Sequence, residues 1–280
     1  MRTYAAIAGS VLFAAIATAQ AADAPATTYP NVAFNPRPAY SWDGFYFGAH
    51  AGAMRNRHDF DPITNVPLFP PFLQSLFPFV VIDTRTATLP GATTENNSFA
   101  SGGQLGINWQ FGQWVLGAEG DITATRLTNS AIASVSEPNG GIFTATYTAT
   151  SNWIGTTRLR LGFAWDCLLV YGTGGMAFGP TRLNTTLVRT EPTPSIINLA
   201  GPVNGGDDSG VQTGWTAGVG AEWGLTPAVS IGAEYRHIDL GTHTYFIGRT
   251  MPSPDGSPLF VNAKTTLDQA TVRVNFRFSR

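Results

Sequence analysis

The chain is poor in charge, in cysteine and in long apolar runs, and each shortage excludes something. Asp, Glu, Lys and Arg make up 12% of its 280 residues, about half the share usual in soluble domains. The net charge is −2 and the pI about 6.1. No Lys/Arg-rich face is available to neutralise phosphates, so no nucleic-acid partner is expected. A single cysteine, Cys167, excludes an internal disulfide. Beyond the N-terminus no stretch of about 18 apolar residues occurs, which excludes helical membrane spans. The histidines His50, His58, His237 and His243 show no metal-ligand spacing on one strand face, so no metal or other cofactor is expected.

What is abundant is glycine, with 31 residues, and aromatics, at 12%. Low charge together with these two suits a protein whose outer surface meets lipid. The N-terminus reads as a secretory signal over residues 1–21: Arg2 supplies the positive region, Ala5 to Ala19 the apolar region, and Ala19-Gln20-Ala21 the cleavage pattern. Residues 22–41, rich in Pro, Ala and Thr, read as a flexible periplasmic lead-in. Residues 42–280 read as one β domain.

From Trp42 onward the apolar residues recur with period two. Leu105, Ile107, Trp109 and Phe111 alternate with Gln104, Gly106, Asn108 and Gln110. Trp215, Ala217, Val219, Ala221 and Trp223 alternate with Thr216, Gly218, Gly220 and Glu222. Val272, Val274, Phe276 and Phe278 alternate with Arg273, Asn275 and Arg277. Such alternation means half-buried strands. A soluble sandwich alternates as well, but here aromatics sit at the ends of the apolar faces, and the opposite faces mix small residues with full charges. That combination fits an all-β, eight-stranded antiparallel up-and-down transmembrane β-barrel, greasy outside and polar within. Strands are expected near 44–53, 97–111, 114–126, 146–164, 168–180, 210–225, 228–241 and 265–278. Short periplasmic turns then fall at Gly112-Gln113, Trp165-Asp166-Cys167 and Leu225-Thr226-Pro227. Long extracellular loops fall at about 54–96, 127–145, 181–209 and 242–264.

The parity turns a set of charges inward: Glu119, Arg158, Arg160, Glu222, Glu234, Arg236, Arg273 and Arg277. Glu119 is expected to face Arg158 and Arg160, and Glu234 to face Arg273. Side chains fill the interior of an eight-stranded barrel, and buried charges there must pair. The expected result is a largely plugged polar interior; a narrow ion path lined by the same groups is the alternative. The outward aromatics Trp109, Trp114, Trp153, Trp215, Trp223, Tyr235, Phe276 and Phe278 are expected to form the interfacial girdles. In the first long loop Phe69, Phe72, Phe77 and Phe79 make an apolar cluster, read either as self-packing or as an interaction patch. No catalytic residue is assigned. The inward carboxylates are scattered beside arginines and make poor general acids. A lipid-cleaving site on the outer wall around His237 and Asp239 would need a serine that nothing in the sequence supplies.

Several stretches, in order, resemble the small porin-like outer-membrane antigens of alphaproteobacteria. They are Trp42-Asp43-Gly44-Phe45-Tyr46-Phe47-Gly48, Gly102 to Gln110, Trp114 to Asp121, Arg160 to Asp166, Tyr171 to Gly175, Gly214 to Glu222, and Tyr235 to Gly241. The resemblance covers nearly all of the chain after the signal. It implies an outer-membrane barrel exposed at the bacterial surface, in contact with outer-membrane lipid and lipopolysaccharide. It also implies handling by periplasmic chaperones and the barrel assembly machinery, and roles in envelope integrity and in host or environmental contact through the loops. One departure is that the last aromatic, Phe278, is followed by Ser279-Arg280, whereas the family usually ends on the aromatic itself. Three functions follow: a plugged structural and surface barrel, a small diffusion porin, or an outer-leaflet lipid-modifying enzyme.

Overall fold

The computed structural model describes residues 40–67, 86–136, 141–190, 201–203, 206–249 and 258–278. The described chain is almost entirely strand: β1 (Gly44–Phe60), β2 (Ile63–Pro67), β3 (Thr86–Leu89), β4 (Ala92–Phe111), β5 (Trp114–Ser136), β6 (Ile142–Trp165), β7 (Leu168–Thr190), β8 (Gly201–Val203), β9 (Asp207–Thr226), β10 (Val229–Arg249) and β11 (Pro258–Phe278). Eight of these close a ring. The antiparallel order β6-β5-β4-β1-β11-β10-β9-β7 is completed by β7 pairing back onto β6, so none of the eight is left as a sheet edge. β2 and β3 form a separate small hairpin, and β8 pairs only with the far end of β7.

Three two-residue turns join the strands at one end: Gly112-Gln113, Asp166-Cys167 and Pro227-Ala228. Two of them use the left-handed region, Gly112 at φ 62° and Asp166 at φ 52°. Glycine takes that conformation without strain, and aspartate is one of the few other residues that tolerates it.

Side-chain direction answers the question the alternation raises. Trp215, Val219 and Trp223 are 53%, 63% and 49% exposed, while Glu222 and Arg273 are 2% and 3% exposed. The apolar faces therefore point away from the axis and the ionic groups point toward it. This is the arrangement of a barrel whose solvent on the outside is hydrocarbon.

The strands run much further than expected. The segments read as loops at 127–145, 181–209 and 242–264, and the flanks of 54–96, are largely strand. The reason is a reversal of polarity along each strand. On β5 the outward side chains change from Trp114, Leu116 and Ile122 to Arg126, Thr128, Ser130 and Ser134, while the inward ones change from Glu119, Asp121 and Thr123 to Leu127, Ala131 and Ala133. On β7 the inward set becomes Leu183 and Leu187. The greasy-outside pattern that marks a lipid-facing strand stops, but the strand continues into water with an apolar inside.

On β6 and β10 the backbone itself makes the switch. A register shift between Thr150 and Gly155 leaves both Asn152 and Trp153 outward. Inward positions are odd-numbered before this break, from Phe143 to Ala149, and even-numbered after it, from Ile154 to Arg160. On β10 the shift lies between Asp239 and Thr242. There Gly241 sits at φ 74°, its N–H donating to Asp239 Oδ1 at 2.8 Å. This is a β-bulge with glycine at the left-handed position. A one-residue slip exchanges the two faces of a strand, and here it brings Tyr245 and Ile247 into the outer core.

Candidate functional site

The interior is stacked in layers. At the turn end, Tyr40 to Asp43 fold across the mouth. Trp42 is fully buried against Val115, Ala164 and Leu169. Its Nε1 donates to the Asp166 carbonyl at 3.1 Å and its backbone N–H to Gln110 Oε1 at 2.6 Å. Arg277 lies over the Trp42 ring at 4.4 Å and the Tyr40 ring at 5.1 Å, and donates to the Ser41 carbonyl at 2.6 Å.

Above this stopper lies the charged layer, in which four carboxylates meet four arginines. Arg158 sits directly across the β5–β6 ladder from Glu119 and pairs with it. It also reaches Asp121 at 2.9 Å and, from the opposite wall, Glu234. Arg273 bridges the same two glutamates, 2.8 Å from Glu119 and 2.9 Å from Glu234. Arg236 donates to Asp121 at 2.7 Å and to Gln269 at 2.7 Å. Arg160 pairs with Glu222 and stacks on Tyr171, 3.6 Å from the ring centre. The remaining carboxylate lone pairs are met by neutral donors. Tyr46 donates to Glu119 at 2.6 Å, Tyr171 to Glu234 at 3.0 Å, Thr156 to Asp121 at 2.5 Å, and Ser230 and Asn275 to Glu222 at 2.5 and 2.7 Å. A buried charge persists only where such partners offset its desolvation.

The next level is uncharged: His50 bridges Gln104 at 2.7 Å and Thr123 at 2.9 Å. Beyond it two apolar clusters fill the lumen. The first holds Met54, Leu127, Ile154, Ile238 and Leu267. The second, in the outer half, is built around Phe60, Tyr147, Leu183, Leu187, Tyr245 and Ile247. His58 lies buried at this outer level beside Thr265, 3.0 Å away, and burial pushes its imidazole down to about 4.

Each sequence-predicted interior charge is buried in the lumen. Glu119 meets Arg158 and Glu234 meets Arg273, as the parity implied, whereas Arg160 pairs with Glu222 in place of Glu119. Glu119 takes Arg273 as well. The sequence reading missed Asp121, Tyr46 and Tyr171. Asp121 was legible, because it shares the parity of Glu119 two residues earlier; the tyrosines were not, because an aromatic in a barrel strand is first read as outward. The eight girdle candidates all face outward. Phe47 stacks on both Phe276 and Phe278 at 5.6 Å, and Trp114 meets Phe163 edge-on at 5.3 Å. Phe69, Phe72, Phe77 and Phe79 lie outside the described residues. His237 holds Asp268 at 2.8 Å, and among the described residues no serine hydrogen-bonds to it. The described residues contain no cluster of three metal-ligating side chains.

Comparison with known proteins fits this architecture. The chain is 29% identical to a 31 kDa outer-membrane immunogenic protein of Brucella melitensis biotype 1 over 285 residues, covering 96% of this chain and 99% of the relative. It is 26% identical to a 22 kDa outer membrane protein of Rhizobium leguminosarum bv. viciae over 211 residues, covering 75% and 69% respectively. Among solved structures it is similar to the outer membrane protein OprG of Pseudomonas aeruginosa, with a TM-score of 0.41, 11% identity, and coverage of 86% of this chain and 100% of that one. The model of the outer membrane protein beta-barrel domain family matches residues 8–278. The chain belongs to that family and is a β-barrel protein of the bacterial outer membrane.

Proposed function

We propose that this barrel is a sealed, non-catalytic component of the cell envelope that projects an exposed collar from the outer membrane, rather than a diffusion pore. The observation that carries the reading is the charged layer. Arg158, Glu119, Arg273 and Glu234 span the lumen from opposite walls with side chains almost wholly inaccessible. The aromatic stopper at Trp42 lies on one side of this layer and apolar packing on the other. A hydrated solute would have to break ion pairs and then cross layers built largely of apolar side chains. The relatives named as immunogenic proteins favour a surface role for the collar. Liposome swelling and planar-bilayer recording with the purified protein test this. The expected outcome is swelling at the protein-free rate and no stepwise conductance. Free passage of small sugars would replace the proposal with a porin.

A further inference from the structure

The outer edge of the lipid-facing wall carries a ring of outward charges, nearly all paired. Arg55 binds Glu95; Arg57 lies 3.0 Å from Asp59; Arg182 binds Asp207; Lys264 lies 3.1 Å from Asp239; and His237 lies 2.8 Å from Asp268. Arg126 breaks the pattern. Among the described residues it has no carboxylate and no hydrogen-bond acceptor, although it points outward from β5.

Its position is specific. Arg126 stands twelve residues beyond Trp114 on the same strand. At about 3.3 Å per residue and a tilt near 40°, that is roughly 30 Å along the membrane normal, the outer edge of the apolar band. Beneath it is a shallow depression of about 660 Å³ in the outer wall. The depression exists because Ser101 and Ala124, paired across β4 and β5, are small. Phe99 rises on one side and Asn152, on β6, on the other; the neighbouring Trp153 packs edge-on against Phe178. The side chains of Asn97 and Asn152 line the same rim as Arg126 and likewise have no hydrogen-bond partner among the described residues.

We infer that this depression binds the phosphate-bearing headgroup of an outer-leaflet lipid. A guanidinium matches phosphate with two parallel N–H bonds, and the two free amides add donors. Phe99 offers an apolar face along which an acyl chain descends. A neutral lipid would leave Arg126 unmatched, and a soluble anion would leave the Phe99 wall unused. The site lies on the outer wall and does not depend on whether the barrel conducts.

The test is native mass spectrometry of detergent-purified protein incubated with diphosphorylated lipid A, with its dephosphorylated form, and with inorganic phosphate. Arg126→Ala and the depression-filling Ala124→Trp are each expected to lower lipid A retention at least five-fold. Arg182→Ala, on another part of the ring, should leave it unchanged. Wild type should hold the dephosphorylated lipid no better than Arg126→Ala does. Folding of each variant is checked by gel mobility before and after boiling; should one variant misfold, the other decides. Equal retention in a folded variant overturns the inference. So does phosphate-independent retention, and so does inorganic phosphate competing as strongly as lipid A, which would mark a soluble-anion site.

Discussion

The half of the barrel near the tight turns and the half beyond the charged ring share the same strands yet are built inside out with respect to each other. Near the turns, leucine, tryptophan and phenylalanine face outward and the lumen holds ion pairs. Beyond the ring, threonine and serine predominate on the outward face, with Ile132 and Phe260 among them, and the lumen holds leucine, isoleucine and tyrosine beside buried polar groups such as Asn129 and Gln212. One backbone architecture thus serves two solvents. Hydrocarbon cannot satisfy polar groups, so in the lower half these are gathered inside and must satisfy one another. Water can, so the outer half resembles a soluble protein with a dry core.

The difference can be broken most strongly at Arg158. Arg158→Leu leaves Glu119, Asp121 and Glu234 buried with their shared cation gone. The expected loss is about 3–5 kcal/mol, read by urea titration in lipid vesicles. A near-neutral result would mean that the charged layer is hydrated and that the lower half is less sealed than argued.

A paired substitution sharpens the contrast. Val219→Arg places a charge on the wall midway between Trp215 and Trp223 and should cost about 2–4 kcal/mol. Ser134→Arg places the same charge on the outward face of the outer half, and should stay within about 0.5 kcal/mol of wild type. Equal costs would remove the claimed boundary between the two solvents.

The smallest effect tests the dry core of the outer half through pH. His58 titrates at about 4 when folded, against an ordinary value of 6.5. The unfolded chain therefore binds a proton that the folded chain refuses. Stability is full above pH 6.5, falls as pH drops from 6.5 toward 4, and is level below. Between pH 7 and pH 5 the loss is about 2 kcal/mol. His58→Gln should flatten that part of the profile. An unchanged profile would mean that water reaches His58.

The comparison also shows where reading from sequence succeeds. Wherever one face is uniformly apolar, as from Trp215 to Trp223 or Val272 to Phe278, period-two alternation reveals both the strand and its outward face. Short turns are equally legible, since Gly112-Gln113 separates two such runs. Reading failed beyond the ring. Residues such as Thr128, Ser130 and Ser134, alternating with Leu127, Ala131 and Ala133, read as loop because their outward face is polar, unlike that of a lipid-facing strand. The bulge at Gly241 hid the continuation of β10 further by changing parity within the strand.

Side-chain alternation, a local property of the chain, therefore determined by itself that this is a membrane barrel, which residues face lipid, and which charges lie inside. Which charges meet across the lumen was decided only in the closed ring. Arg160 finds Glu222 and Arg158 finds Glu234 across the lumen, at sequence separations of 62 and 76 residues. Such partners depend on strand stagger and barrel diameter, which no single strand encodes. The same holds for Arg126, whose lack of a partner among the described residues becomes visible only when its neighbours on β4 and β6 are brought alongside.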